Sequence, residues 1–215
     1  MSTFLELKTR IASDLERELT DETFTGRTWD TEIGAAINDA IRLYRAKRYW
    51  FLQGPITAAL TSTTTASNSY VADYAGLVDL KSLRITIDNQ KQELTEISFS
   101  EMESRHDGST SEGEPYEYCR FGGRVRLYPT PGSVYTLTWS GTFLEATLTA
   151  DGDTNAWLDE GEILIKAHAK LIMQRDYIKS YTDIPAAKDA VSEAVAALDL
   201  EHSARMGNRK LAARC

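Results

Sequence analysis

Hydrophobic residues recur along this chain with two different periods, and the places where the period changes divide it. Phe4, Leu7, Ile11, Leu15 and Leu19 follow at helical spacing. Thr3-Phe4-Leu5-Glu6 has the T-x-x-E form of a capping box, so the pattern predicts a first helix with one buried face. Residues 20–29 are polar, contain Gly26 and form a connection. A second helix, capped by Thr28 or Asp30, extends to about Arg48 with Ile33, Ile37, Ala40, Ile41 and Tyr44 on its apolar stripe. It ends in Tyr49-Trp50-Phe51-Leu52, ahead of Gly54-Pro55. A cluster this dense reads as core at a helix–sheet junction rather than as a ligand cage.

From Ile56 the period becomes two. Residues 56–60, 69–72, 81–87 and 92–98 read as short strands separated by turn-rich pieces. The tract TSTTTASNS at residues 61–69 has nothing to bury and reads as a projecting hairpin loop or a disordered tip. Ser100-Glu101-Met102-Glu103 starts one or two helical turns, and residues 106–114 form a flexible Gly/Ser loop. The next stretch, residues 113–141, is the centre of the β region and reads as three antiparallel strands. Residues 116–121 and 124–128 flank Gly122-Gly123, a pair suited to the positive φ angles of a two-residue hairpin turn. That turn sets Tyr118 opposite Leu127, Arg120 opposite Val125 and Phe121 opposite Arg124, the last pair on a half-exposed face. Pro129-Thr130-Pro131-Gly132 predicts a second reversal. In the third strand, residues 133–140, Tyr135, Leu137 and Trp139 share one face while Thr136 and Thr138 take the other.

Helical spacing returns at Asn155. One helix is expected to extend to about Ser180, with Leu164, Ala167, Leu171 and Ile178 on its inner face and Ile163, Met173 and Tyr177 widening it. Pro185 opens a last helix. Its stripe of Ala187, Val191, Ala194, Val195, Leu198 and His202 peters out at Met206-Gly207-Asn208. The fold class expected is therefore α+β. Two N-terminal and two C-terminal helices (residues 1–52 and 153–203) form a bundle, an antiparallel β domain (residues 53–152) is inserted in it, and a basic segment (residues 204–215) follows.

Composition adds a charge asymmetry to this plan. At 215 residues, with 42% hydrophobic and 26% charged side chains, the chain has the make-up of a soluble globular protein able to bury a real core. No apolar run reaches membrane-spanning length and the N-terminus lacks a signal-peptide core, so a cytoplasmic start and no membrane partner are expected. Two cysteines, Cys119 in a strand and Cys215, make neither a disulfide framework nor a metal pattern. The net charge of −8 comes from 24 basic and 32 acidic residues. Four of the basic ones (Arg205, Arg209, Lys210, Arg214) lie after residue 203, where there is no acid, which leaves 20 against 32, or −12, for the rest. An acidic body should repel nucleic acid rather than grip it, and the basic end is either an interaction segment or a solvated terminus.

Candidate chemistry is sparse. Asp151-Gly152-Asp153-Thr154-Asn155 with Glu162 has the carboxylate spacing of an EF-hand calcium loop, but Ala156 stands where that loop needs glycine and no helix leads into it. A polar turn in which Asp153 or Asn155 caps the next helix is the better reading. His106, His168 and His202 show no ligand spacing. Gly122-Gly123 lacks the lysine and following helix of a phosphate cradle. No serine sits in a nucleophile elbow, and Cys119 has no evident histidine partner. No catalytic residue, metal ligand or cofactor is assigned.

The tyrosine-rich strand, the Gly-Gly turn, R-V-R-L-Y-P-T-P, the Y-T-L-T-W strand, D-x-D-T-N-x-W-L with its long helix, and upstream S-F-S-E-M resemble the head–tail adaptor proteins of tailed bacteriophages. The resemblance spans most of the chain and its motifs are structural. It implies a virion protein, not an enzyme, assembled in the host cytoplasm. That protein would form a ring oligomer, a dodecamer, beneath the portal protein. The implied partners are the portal, neighbouring subunits and the next tail protein (nozzle, stopper or tail tube), with genomic DNA passing unbound through the channel. By the same resemblance Arg205, Arg209, Lys210, Leu211 and Arg214 are portal-docking residues, and the loops at 61–69 and 106–114 face the next tail protein. Two other readings remain from the residues: a stand-alone β-sandwich binding module of a phage tail, and a tail-associated peptidoglycan hydrolase using a carboxylate pair.

Overall fold

The computed structural model of the chain describes residues 2–23, 25–59, 70–107, 111–179 and 181–212. In chain order these form helices α1 (Phe4–Asp14) and α2 (Trp29–Tyr44), then strands β1 (Gln53–Ala59), β2 (Tyr70–Ala72), β3 (Leu77–Ile87), β4 (Gln90–Glu93) and β5 (Thr95–Glu96). Helix α3 (Phe99–His106) precedes β6 (Glu112–Gly113), β7 (Glu117–Phe121), β8 (Arg124–Tyr128), β9 (Thr130–Pro131) and β10 (Thr136–Phe143). Helices α4 (Ala156–Glu160), α5 (Glu162–Met173) and α6 (Ile184–Ala212) complete the α+β fold. Contacts divide the chain into two compact units, Met1–Leu52 with Glu145–Cys215, and Gln53–Leu144.

The helical unit starts as its sequence dictates. Thr3 and Glu6 form the reciprocal capping box at α1, and Thr28 caps α2 through the amide of Thr31. Phe4, Leu7, Ile11 and Leu15 are buried, as are Ile33, Ile37, Ala40, Ile41 and Tyr44. Each such aliphatic side chain contributes about 1.5–3 kcal/mol of burial free energy. The Asp151–Asp153 turn closes this end of the unit: its carbonyls accept from the amides of Leu5 and Phe4, 3.0 and 2.9 Å away. Two free donors of a helix N-terminus are thereby satisfied.

Beyond Asn155 the expected single helix is two helices, because Gly161 ends α4 and α5 restarts from it. Within α5, Leu164, Ile165, Ala169 and Met173 point inward while Ile163 is 78% exposed. Leu164 and Met173 thus lie inward as expected and Tyr177 and Ile178 pack against the same core, whereas Ile163 does not, and Ile165 and Ala169 take the remaining inner positions. Helix α6 also differs: its backbone stays helical through Gly207 and Asn208 to Ala212. One glycine costs a helix about 1 kcal/mol, and the Arg-Lys-Leu-Ala run that follows consists of strong helix formers.

In the β unit the hairpin has the expected register, with Tyr118 opposite Leu127, Arg120 opposite Val125 and Phe121 opposite Arg124. Gly122 and Gly123 both have positive φ, at 61° and 70°. The third strand, however, does not extend this sheet. Strands β7 and β8 lie in the order β2-β8-β7-β5, whereas β10 lies between β1 and β3 in the order β1-β10-β3-β4. Residues 129–135 carry the chain from one sheet to the other, and both sheets feed one core of Leu83, Ile85, Tyr118, Val125, Leu127, Leu137 and Trp139. As a central strand β10 is buried on its second face too, where Thr138 and Thr142 are covered. Gly141 sits at a register shift against β3, and an added Cβ would lie 2.0 Å from the carbonyl oxygen of Asp79. β5 pairs with β7 in parallel, and a second short parallel pair joins β6 to β9, so part of the expected 106–114 loop is held in place. Ser98 and Glu101 form another capping box at α3, and the helix lays Met102 into the interior. The 61–69 tract falls outside the described residues.

Candidate functional site

The sequence points to the C-terminal end of α6. Its last well-packed turns rest on the aromatic cluster that follows α2. Tyr49 is buried at the centre of that cluster, stacked on Phe51 with ring centroids 5.6 Å apart and edge-on to Trp157 and His202 at 5.7 Å each. Its hydroxyl donates to Asp199 at 2.8 Å, and Lys47 reaches the other oxygen of that carboxylate at 3.1 Å. Burial opposes ionisation of Asp199, but the hydrogen bonds from Tyr49 and Lys47 outweigh it and hold the carboxyl below its usual range. Burial and the Asp199 carboxylate push the Tyr49 phenol well above its ordinary value. One turn further on, the Arg205 guanidinium lies 4.3 Å from the centre of the Trp50 ring. Arg205 also pairs with Glu201 at 2.5 Å and Glu160 at 3.4 Å.

Arg205 is therefore engaged within its own chain, which the sequence reading of a free basic end did not anticipate. Arg209, Lys210 and Leu211 lie on the last turns of α6, where the backbone is described and the side chains are not. Arg214 and Cys215 fall outside the described residues. A continuous helix thus presents the first three of these residues as an extension of the bundle.

Beside this end lies a hollow of about 370 Å³ between the α4–α5 junction and α6. Leu164, Ala194 and Leu198 form its apolar floor and Asp159, Glu160, Glu162 and Glu201 its rim, with Ile163 at the edge. Glu162 accepts from Ser2 at 2.8 Å and pairs with Arg10.

The residues that suggested calcium are occupied in the fold. Asp151 binds the Lys8 ammonium at 2.7 Å. Asp153 accepts from the amides of Thr149 and Ala150 at 2.7 and 2.8 Å, and Asn155 caps α4 through the amide of Leu158. These are the bonds of a capped turn. Lys8 is a residue the periodicity missed: only 3% exposed, it is held between Asp30 at 2.6 Å and Asp151. Burial works against its charge, yet the hydrogen bonds to Asp151 and Asp30 prevail and raise its pKa. Glu32 is a second buried charged residue, accepting from Thr25 at 2.9 Å and from Tyr177 at 2.6 Å. The bond to Glu32, with burial, pushes the Tyr177 phenol up to about 12. Among the described residues no group of three or more His, Cys, Asp or Glu is placed to hold a metal ion, and no helix is long and apolar enough to cross a membrane. Cys119 is buried in β7, and burial raises its thiol pKa.

The three histidines lie apart, in α3, α5 and α6. His168 accepts from or donates to the Tyr44 hydroxyl through Nδ1, 2.9 Å away, and burial followed by the nearby Arg175 lowers its pKa below 6.5. Between the folded and unfolded pKa values the unfolded chain binds the extra proton. The stability His168 contributes is therefore complete above pH 6.5 and declines as pH falls toward the folded pKa. His168→Gln is expected to flatten the fall in melting temperature on acidification from pH 6.5; an unchanged slope would place the pH response elsewhere.

Residues 2–212 match the family described as SU10 adaptor protein. No curated protein matches the chain. The match covers nearly the whole sequence, both units included, and the chain belongs to this family: it is a structural adaptor protein of a bacteriophage.

Proposed function

We propose that this SU10-family adaptor docks as a ring under the portal at the unique vertex of the capsid, extends the DNA channel, and gives the next tail component its platform. The family match over residues 2–212 carries this reading. The charge distribution supports it in a physical way. A body of net −12, with every basic residue of the last stretch gathered at one end, suits a channel wall that DNA must pass without sticking. The basic end, Arg205, Arg209, Lys210, Leu211 and Arg214, is the docking element, and it reaches the portal wall or the next subunit. Arg205 anchors the base of that element on Trp50. Arg209, Lys210, Leu211 and Arg214 are the residues offered to partners. Ring copies, the portal and the next tail protein are the partners; the reading needs neither cofactor nor turnover.

Mixing the purified protein with the portal encoded by the same genome and imaging the product tests this directly. Stacked rings, with the adaptor ring at one end of the portal, are expected. The protein alone is expected to be mostly monomeric in light scattering, since the portal supplies the template. Portals that remain bare at saturating adaptor would overturn the reading.

A further inference from the structure

We propose that the hollow between the α4–α5 junction and α6 is the receptor for the basic C-terminal end of a neighbouring copy. This inference rests on the ring reading, and it names the surface that receives the docking element. The observations are shape, apolar floor and charge. The hollow measures about 370 Å³ and is floored by Leu164, Ala194 and Leu198, within the size range of pockets that take a side chain or small ligand. Ile163, 78% exposed at its edge, adds apolar surface with nothing covering it in the single chain.

Four carboxylates line the hollow, and among the described residues two cations, Arg205 and Arg10, pair with them. Arg205 is shared by Glu160 and Glu201, and Arg10 pairs with Glu162. Asp159 has no ion pair among the described residues and is exposed. An occupant must therefore bring positive charge together with an apolar side chain. The sequence Arg209-Lys210-Leu211-Ala212-Ala213-Arg214 has that composition, with a leucine set between cations.

The chain cannot fill its own hollow with this segment. Helix α6 is continuous from Ile184 to Ala212, so Leu211 lies beyond Glu201 along the helix axis. At about 1.5 Å per residue that displacement is roughly 15 Å. The α6 backbone thus carries this segment past the carboxylates of its own chain. Exposed ion pairs contribute at most about 1 kcal/mol each, so one end binds one hollow weakly and free copies stay apart. In a ring the neighbour is held close, and the high effective concentration closes the contact.

A fluorescein-labelled synthetic peptide of residues 203–215 titrated against the full-length protein, with anisotropy as readout, tests the inference. Saturable binding that weakens as salt rises is expected. Asp159→Lys should weaken it about five- to tenfold, as expected when an attractive exposed pair becomes a repulsive one. Asp159 makes no ion pair of its own, so the fold should be kept; Asp159→Asn, expected to have a smaller effect in the same direction, serves if it is not. Leu211→Asp in the peptide should abolish binding. Equal affinity for the parent and both Asp159 variants, or no binding at all, would overturn the inference. Peptide bound by the portal but not by the adaptor would overturn it too, while leaving the portal-docking reading intact. Bare portals alongside normal peptide binding would sink that reading and spare this one.

Discussion

Leu127→Asp is expected to unfold the β unit. Leu127 is fully buried in β8, opposite Tyr118, among Leu83, Val125, Leu137 and Trp139. An aspartate there leaves a carboxylate without a partner in an apolar core. The cavity from the lost leucine adds to the cost, so the loss should exceed about 4 kcal/mol. Trp139→Asp should be comparably severe, since Trp139 lies in the facing sheet of the same core. The contrast is Phe121→Asp. Phe121 is 59% exposed and stacks on Phe99 with centroids 4.4 Å apart, so its loss should cost about 1 kcal/mol. Urea unfolding is the measurement, followed by circular dichroism for all three variants and, where it is retained, through Trp139, the one tryptophan between residues 53 and 144. Parental unfolding curves for Leu127→Asp would show that the inward face of the hairpin is misassigned.

The hairpin was legible because its determinants are local. A two-residue turn with two glycines fixes which residues face each other, and the alternation fixes which face is apolar. Capping boxes at Thr3 and Ser98, and the Thr28 cap, were legible for the same reason, or could have been. Sheet membership is not local. Nothing in the alternation of β10 says whether it continues the β7–β8 sheet or faces it, and Thr138 and Thr142 look polar until a strand lies on each side of β10. Helix phase in α5 was only partly legible: Ile163, Leu164 and Ile165 are consecutive apolar residues that fit more than one inner face, and the fold buries Leu164, Ile165, Ala169 and Met173 while leaving Ile163 exposed. Lys8 and Arg205 share another limit. A charge in the sequence reads as solvated, and only the fold brings Asp30 and Asp151 to Lys8, or Trp50 and Glu160 to Arg205. The residues proposed for docking were visible as a charge run, and the hollow between the α4–α5 junction and α6 was not. Its floor comes from α5 and α6 and its rim from α4, α5 and α6, and α6 meets the α4–α5 junction only through packing.

Where α6 stops being part of the body decides what a truncation can show. The obvious cut, removing residues 204–215, also removes Arg205, which rests on Trp50 and neutralises Glu160 and Glu201. A cation–π contact of this kind and its exposed ion pairs are worth about 1 kcal/mol together. A chain ending at Met206 keeps them. It loses Arg209, Lys210, Leu211 and Arg214, three positive charges and one leucine beyond the last described side chain. Its melting temperature is expected to match the parent, whereas Arg205→Ala in the full chain should lower stability slightly and leave portal attachment in place. Attachment should be lost in the shortened chain, because the proposed docking draws on charge-assisted hydrogen bonds of the arginines and burial of Leu211. Replacing Arg209, Lys210 and Arg214 by alanine while keeping Leu211 should give an intermediate whose weakened attachment depends less on salt than the parent's, because the charges that salt would screen are gone. Sedimentation of portals with bound adaptor reads all three. A chain ending at Met206 that decorates portals with parental affinity would move docking from the end of α6 to the faces of the bundle.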